Sequence, residues 1–169
     1  MSPDDENHRR RAPGPDLDDS HARTGLFGAS YCVFCGALHG LQRALARDDE
    51  CTRCGSPLFP AERHRLDYSG QRMVQRIPKG GRVLLYVGWP QNEPFTAELL
   101  DLSLNGMRLA ASSDVPVNQV VKVDSDLCRA LARVAHCERP SAAERWTIGL
   151  EFLTLKFANN RGSFVSARA

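Results

Sequence analysis

From about residue 71 onward, apolar residues recur at every second position of the chain. Val83, Leu85, Val87 and Trp89 alternate with Arg82, Leu84, Tyr86 and Gly88. Met107 and Leu109 flank Arg108, and Val121 and Val123 flank Lys122. Trp146, Ile148, Leu150 and Phe152 alternate with Thr147, Gly149 and Glu151. An extended backbone puts side chains two apart on one face, so each run reads as a strand with one face for a core. The runs are short and parted by turn formers, among them Gly88, Pro90, Asn92, Pro94, Pro116 and Asn118. This spacing predicts a small all-β barrel, whose closure removes exposed strand edges. One stretch fits two patterns. Between Ser125 and Cys137, Leu127, Leu131 and Val134 stand at helical spacing with Ser125 as a candidate N-cap, while Leu131 to Glu138 also reads as a strand. A barrel needs a strand here, so 130–138 is expected to be one, preceded by a helical turn. After Phe157, the run Asn159-Asn160-Arg161-Gly162 reads as a turn, with Phe164 and Val165 returning as a last strand.

The alternation is interrupted at Asp101-Leu102-Ser103-Leu104-Asn105-Gly106, which ends one apolar run (Phe95 to Leu102) and opens the next (Met107 to Ala110). Phe95, Ala97 and Leu99 share their parity with Asp101, and Asp101 and Ser103 point the same way. Asn105-Gly106 supplies a tight turn, with Gly106 free to take φ > 0. Such a strand end offers a carboxylate, a hydroxyl and open backbone to one bound group. Upstream lies Arg72-Met73-Val74-Gln75-Arg76.

An R-x-x-x-R followed at this separation by D-x-S-x-x-G resembles the PilZ domain, the bacterial receptor for cyclic di-GMP. The likeness extends to Gly106-Met107-Arg108-Leu109 and to the late strand Trp146-Thr147-Ile148-Gly149-Leu150-Glu151-Phe152. It implies a six-stranded antiparallel barrel with the arginines on a loop before the first strand, wrapping the ligand against the D-x-S-x-x-G surface. By that likeness Arg72, Arg76, Asp101, Ser103 and Gly106 are the binding residues, with Asn105 beside them. The chemistry suits the ligand. An arginine fork pairs with phosphate oxygens or with guanine O6 and N7, and its plane stacks on a purine. A carboxylate at Asp101 accepts from the guanine N1–H and N2–H2 donors.

Residues 25–60 hold Cys32, Cys35, Cys51 and Cys54 as two Cys-x-x-Cys pairs with fifteen residues between them. A unit of this size does not fold on its apolar residues alone and needs a staple. Two such loops complete a tetrahedral tetrathiolate site, and the glycines after Cys35 and Cys54 let each loop close. The pattern resembles a zinc ribbon over roughly residues 29–57. Four thiolates fill the coordination shell, so Zn2+ here is structural; iron also accepts this ligand set. Two disulfides or a redox pair are the alternatives, neither suited to a reducing cytosol. His39 is expected on the surface, and Cys128 and Cys137 as core thiols.

The chain thus divides into a disordered tail (1–24), a zinc-ribbon-like module (25–60), a linker (61–70) and a barrel domain (71–169). Formal charge is only +2, too little to argue for nucleic acid. In the tail, Arg9-Arg10-Arg11 is flanked by acids. In the ribbon, Arg43, Arg47 and Arg53 are balanced by Asp48, Asp49 and Glu50. The acidic N-terminus lacks an apolar stretch, so no signal peptide is expected, and no window approaches a membrane span. A cytoplasmic protein follows. No nucleophile motif, open metal site or paired carboxylate suggests an enzyme. Three roles stay open: a cyclic di-GMP receptor acting on a protein partner, an adaptor that binds no nucleotide, and a ribbon-based nucleic-acid regulator.

Overall fold

The computed structural model describes residues 29–40, 44–61, 77–90, 93–141 and 143–158. The tail (1–24), residues 62–70 of the linker, Arg72 and Arg76, and the expected last strand at Phe164 and Val165 lie outside the described residues. The described residues are mainly β and contain no helix.

Among the described residues nine strands run in chain order: β1 (Ala29–Tyr31), β2 (Leu38–Gly40), β3 (Ile77–Pro78), β4 (Arg82–Tyr86), β5 (Phe95–Leu102), β6 (Gly106–Ala111), β7 (Val120–Ser125), β8 (Cys128–Glu138) and β9 (Trp146–Phe157). β1 and β2 form a separate antiparallel pair. β4 to β9 close into a six-stranded antiparallel barrel in the cyclic order β4-β7-β8-β9-β6-β5. The alternation does what the sequence predicts. Val83, Leu85, Ala97, Leu99, Met107, Leu109, Val121, Val123, Ala130, Val134, Ile148 and Leu150 all point inward and are buried. A six-stranded barrel has room only for side chains, and alanines at 97, 111, 130 and 132 keep that interior from overfilling.

Three expectations are corrected. β4 stops at Tyr86, so Trp89 is not a strand residue; it lies in the following bend and packs away from the barrel core. The stretch before β8 is a hairpin turn, not a helical turn. Ser125 Oγ accepts from Cys128 N at 3.2 Å and donates to Cys128 O at 2.9 Å. A hydroxyl bonded to the N–H three residues on is also the geometry of an N-cap, which is why the sequence signal was ambiguous. Cys128 is a core thiol, but Cys137 is only partly buried, packing against the core from the end of β8.

β3 and β4 lie end to end along one side of β5. Arg82 to Leu85 face Glu98 to Phe95, and Pro78 and Ile77 face Asp101 and Leu102. Between them Leu99 N donates to Gly81 O at 2.8 Å and Lys79 N to Leu100 O at 3.2 Å. β3 directly follows the R-x-x-x-R segment in sequence and is thereby fixed beside Asp101.

Candidate functional site

On its other side β5 pairs with β6, and there the register slips. Leu99 faces Leu109, but Asp101 faces Arg108, leaving Leu100 as an extra residue. A bulge of one residue reverses the side-chain alternation beyond it. Leu102 therefore turns inward against Met107, and Asp101 turns outward with Arg108. Strict alternation would have put Asp101 in the core with Ala97 and Leu99; the bulge removes it. Asp101 is nonetheless 5% exposed, and its Oδ2 accepts from Arg108 Nε at 2.7 Å. Burying a carboxylate without a partner is costly, and Arg108, itself about half exposed, supplies the countercharge.

Ser103, Asn105 and Gly106 form the turn from β5 to β6. Ser103 N donates to Gly106 O at 2.9 Å. The Ser103 hydroxyl donates to the same carbonyl at 3.2 Å and accepts from Asn105 N at 3.3 Å. Asn105 O in turn accepts from Phe152 N at 2.8 Å, tying the turn to β9. Gly106 is not among the residues with positive φ, contrary to the expected reason for it. Its role is steric. A Cβ there would overlap the Leu150 carbonyl oxygen and stand 3.1 Å from Leu150 C. Glycine lets β6 and β9 approach where the barrel closes. Thus Asp101, Ser103, Asn105 and Gly106 lie at the β5–β6 end of the barrel, while Arg72 and Arg76 lie outside the described residues.

The four ribbon cysteines also come together. Their Sγ atoms all lie within 4.8 Å of one another, with Cys32 and Cys54 at 3.6 Å and Cys35 and Cys51 at 3.4 Å. A Zn–S length of about 2.3 Å sets tetrahedral sulfur–sulfur edges of about 3.8 Å. The two loops repeat one geometry. Gly36 N donates to Cys32 O and Gly55 N to Cys51 O, both at 2.8 Å. Gly36 and Gly55 take φ of 70° and 68°, where a side chain is strained. Burial pushes the Cys32 and Cys35 thiols up from 9.0. Burial also raises Cys54, but hydrogen bonds from the Ser56 hydroxyl and backbone outweigh it and bring Cys54 down to about 7. Four buried thiols this close suit deprotonation only with a cation among them, and the group is consistent with a zinc-binding module. His39 is partly buried rather than a surface residue, and it is not one of the clustered ligands.

The placement of this module on the barrel was not legible in the sequence. It covers the outer face of β7, β8 and β9. Leu131 points outward from β8 and is 1% exposed because it packs among the ribbon's Cys32, Cys51, Leu58 and Phe34 with Leu153 and Trp89. Lys122, outward on β7, is 7% exposed; its Nζ donates to Cys54 O at 2.7 Å and sits 5.3 Å from the Tyr86 ring centroid. Glu50 pairs with Arg129 on β8 and with Lys156 on β9, the latter at 2.7 Å. Arg53 stacks over Trp89 and Arg47 over Phe59. Pro60 pairs with Thr154, and Ala61 N donates to Leu153 O at 3.0 Å. A leucine between Arg129 and Arg133 on an outward register was the one sequence sign of a covered face.

Comparison with known protein families matches residues 71–162 to the PilZ domain, more than half of the chain. The chain belongs to the PilZ domain family. A comparison with curated proteins finds no match to it. Among the described residues no helix is long and apolar enough to cross a membrane.

Proposed function

We propose that this chain is a cyclic di-GMP receptor that carries a structural zinc ribbon as a docking module and works in the bacterial cytoplasm. What carries the reading is a juxtaposition: β3, the strand that follows R-x-x-x-R, is paired with Asp101 and Leu102. The described strand next in sequence to R-x-x-x-R is thus a neighbour of the D-x-S-x-x-G turn, which supports reading the two motifs as one site. In this reading Arg72 and Arg76 supply forks for phosphate or for guanine O6 and N7. Asp101 accepts from the guanine N1–H and N2–H2 edge. Ser103 and Asn105 add polar contacts, and Gly106 keeps the turn against β9. Cys32, Cys35, Cys51 and Cys54 hold Zn2+. The role is binding, not catalysis.

In this reading the output passes through the residues that flank the arginine segment in sequence. Ala61, before it, donates to Leu153 O beside the ribbon, and Ile77, after it, pairs with Leu102 next to Asp101. Capture of ligand by Arg72 and Arg76 pulls on a segment tied to the ribbon seam, and a protein partner reads the changed surface.

One observation favours the adaptor reading. Asp101 is already held by Arg108, and the Ser103 hydroxyl is engaged within its own turn. The nucleic-acid reading gains nothing, since Arg47 and Arg53 lie over Phe59 and Trp89. Calorimetric titration with cyclic di-GMP, beside Arg76→Ala, decides between the first two. Micromolar or tighter binding that the variant loses supports the receptor; no heat and no competition by the ligand at millimolar concentration leaves the adaptor.

A further inference from the structure

The barrel sends a charged side chain into the ribbon. Val121 and Val123 of β7 point inward, so Lys122 points outward, and the ribbon covers it. Lys122 pairs in register with Leu131 on β8, and facing side chains of an antiparallel pair start about 5 Å apart. Leu131 packs in one buried cluster with Cys32, Cys35, Cys51 and Cys54. Its cationic neighbour thus stands on the barrel side of the cysteine site. The Lys122 ammonium donates to Cys54 O at 2.7 Å and lies 5.3 Å from the Tyr86 ring centroid. Cys54 is held at both ends, since its Sγ lies 3.1 Å from the Oγ of the buried Ser56. Burying an ammonium is costly. A neutral donor would satisfy a carbonyl, so the charge itself needs a reason.

A metal among the cysteines supplies that reason. Cysteines bind zinc as thiolates and release their protons as they do so. Zn2+ with four thiolates carries a net negative charge, whereas the metal-free thiols carry none. A nearby cation therefore favours the metal-bound ribbon over the metal-free one. Arg53 also adjoins the cysteine loops, with its Nη1 donating to Cys35 O at 3.3 Å. It is exposed, however, and water and salt weaken the field of an exposed charge. Lys122 is buried, where screening is much less. We infer that Lys122 is a positioning residue for the metal, supplied by the barrel: its ammonium offsets the charge of the tetrathiolate, so β7 helps set how tightly the ribbon holds its ion. This role rests on the zinc reading of the four cysteines and is independent of the nucleotide. It makes metal affinity a property of the whole chain rather than of the ribbon.

The test is zinc affinity of the full chain and of Lys122→Met and Lys122→Arg, each first matched to the parent by circular dichroism. Affinity is read by competition against a chromophoric chelator at fixed pH. Partners just outside a metal's ligands are worth a factor of roughly 10 to 100 in affinity. Lys122→Met keeps an apolar stem and removes the charge, and is expected to lose that factor. Lys122→Arg keeps the charge and is expected to recover most of it. Urea unfolding of the metal-free chains separates charge from packing, and metal-free Lys122→Met is expected to be as stable as the metal-free parent. If the parent binds one ion and Lys122→Met holds it as tightly, the role of Lys122 fails and the zinc reading stands. If both variants lose affinity and metal-free Lys122→Met unfolds at lower urea than its parent, the lysine is a packing residue of the seam and the role fails again. If the parent binds no zinc, both fail.

Discussion

Replacing Gly106 by alanine separates two reasons for a glycine at that position. A ligand-contact role predicts a stable protein that binds poorly. The structure predicts an unstable one. The added Cβ would lie well inside the 3.0 Å that real Cβ contacts respect, and the atom it meets is the Leu150 carbonyl, which cannot rotate away as a side chain can. β6 and β9 must therefore separate at the Gly106–Glu151 and Met107–Leu150 pairs, where the barrel closes. Overpacking costs about 1–3 kcal/mol, and a backbone collision belongs at the upper end, about 3 kcal/mol. For a domain of this size that lowers Tm by at least about 10 °C. Differential scanning calorimetry of Gly106→Ala without nucleotide measures it. An unchanged Tm would refute the steric reasoning and return Gly106 to a direct role at the ligand.

Other outcomes follow from the ribbon seam. Zinc analysis of the purified chain should give one ion per molecule, and Cys54→Ser should lose it and lower the barrel's Tm, since Cys54 O is the acceptor for the buried Lys122 amine; an unaffected Tm would mean the ribbon is not integral to the fold. Leu131→Ala should destabilise by about 2–5 kcal/mol, and by much less in metal-free protein if the ribbon has left that face; equal losses measured by urea unfolding would contradict the coupling. The Glu50 carboxyl is held below 4.5 chiefly by Lys156 and then by Arg129, against the opposing effect of its burial, and the Lys156 ammonium is held above 10.5 by Glu50 and Asp48. A lowered acid stabilises fully above its unfolded pKa and is lost as pH falls through the folded one. A raised base stabilises below its unfolded pKa and is lost as pH rises through the folded one. The seam should thus weaken below about pH 4.5 and above about pH 10.5, and Glu50→Gln should flatten both limbs of a stability profile relative to the parent.

Period-two runs placed the barrel strands because each barrel face has one environment, inside or outside, and side-chain parity reports it. Parity failed where the chain inserted an extra residue. Nothing in Leu99-Leu100-Asp101 marks a bulge, so Asp101 was legible as a candidate site residue only through its motif. Lys122 fitted an outward register between two valines, yet the sequence could not show that the ribbon would cover it. Leu131 carried the same information more visibly, as an apolar residue between two arginines. The cysteine spacing was the most direct signal, because Cys-x-x-Cys-Gly loops specify their own backbone bonds without help from the rest of the chain. The ambiguity at Ser125 came from a hydroxyl bond common to helix starts and hairpin turns.

A titration of isotope-labelled protein with cyclic di-GMP, followed by amide resonances, tests whether the nucleotide uses this face. Saturable shifts are expected at residues 101–108 and at Arg72 to Arg76, with smaller ones along the seam at Ala61 and Leu153. No shifts at any concentration, or shifts confined to the ribbon, would contradict the proposed receptor.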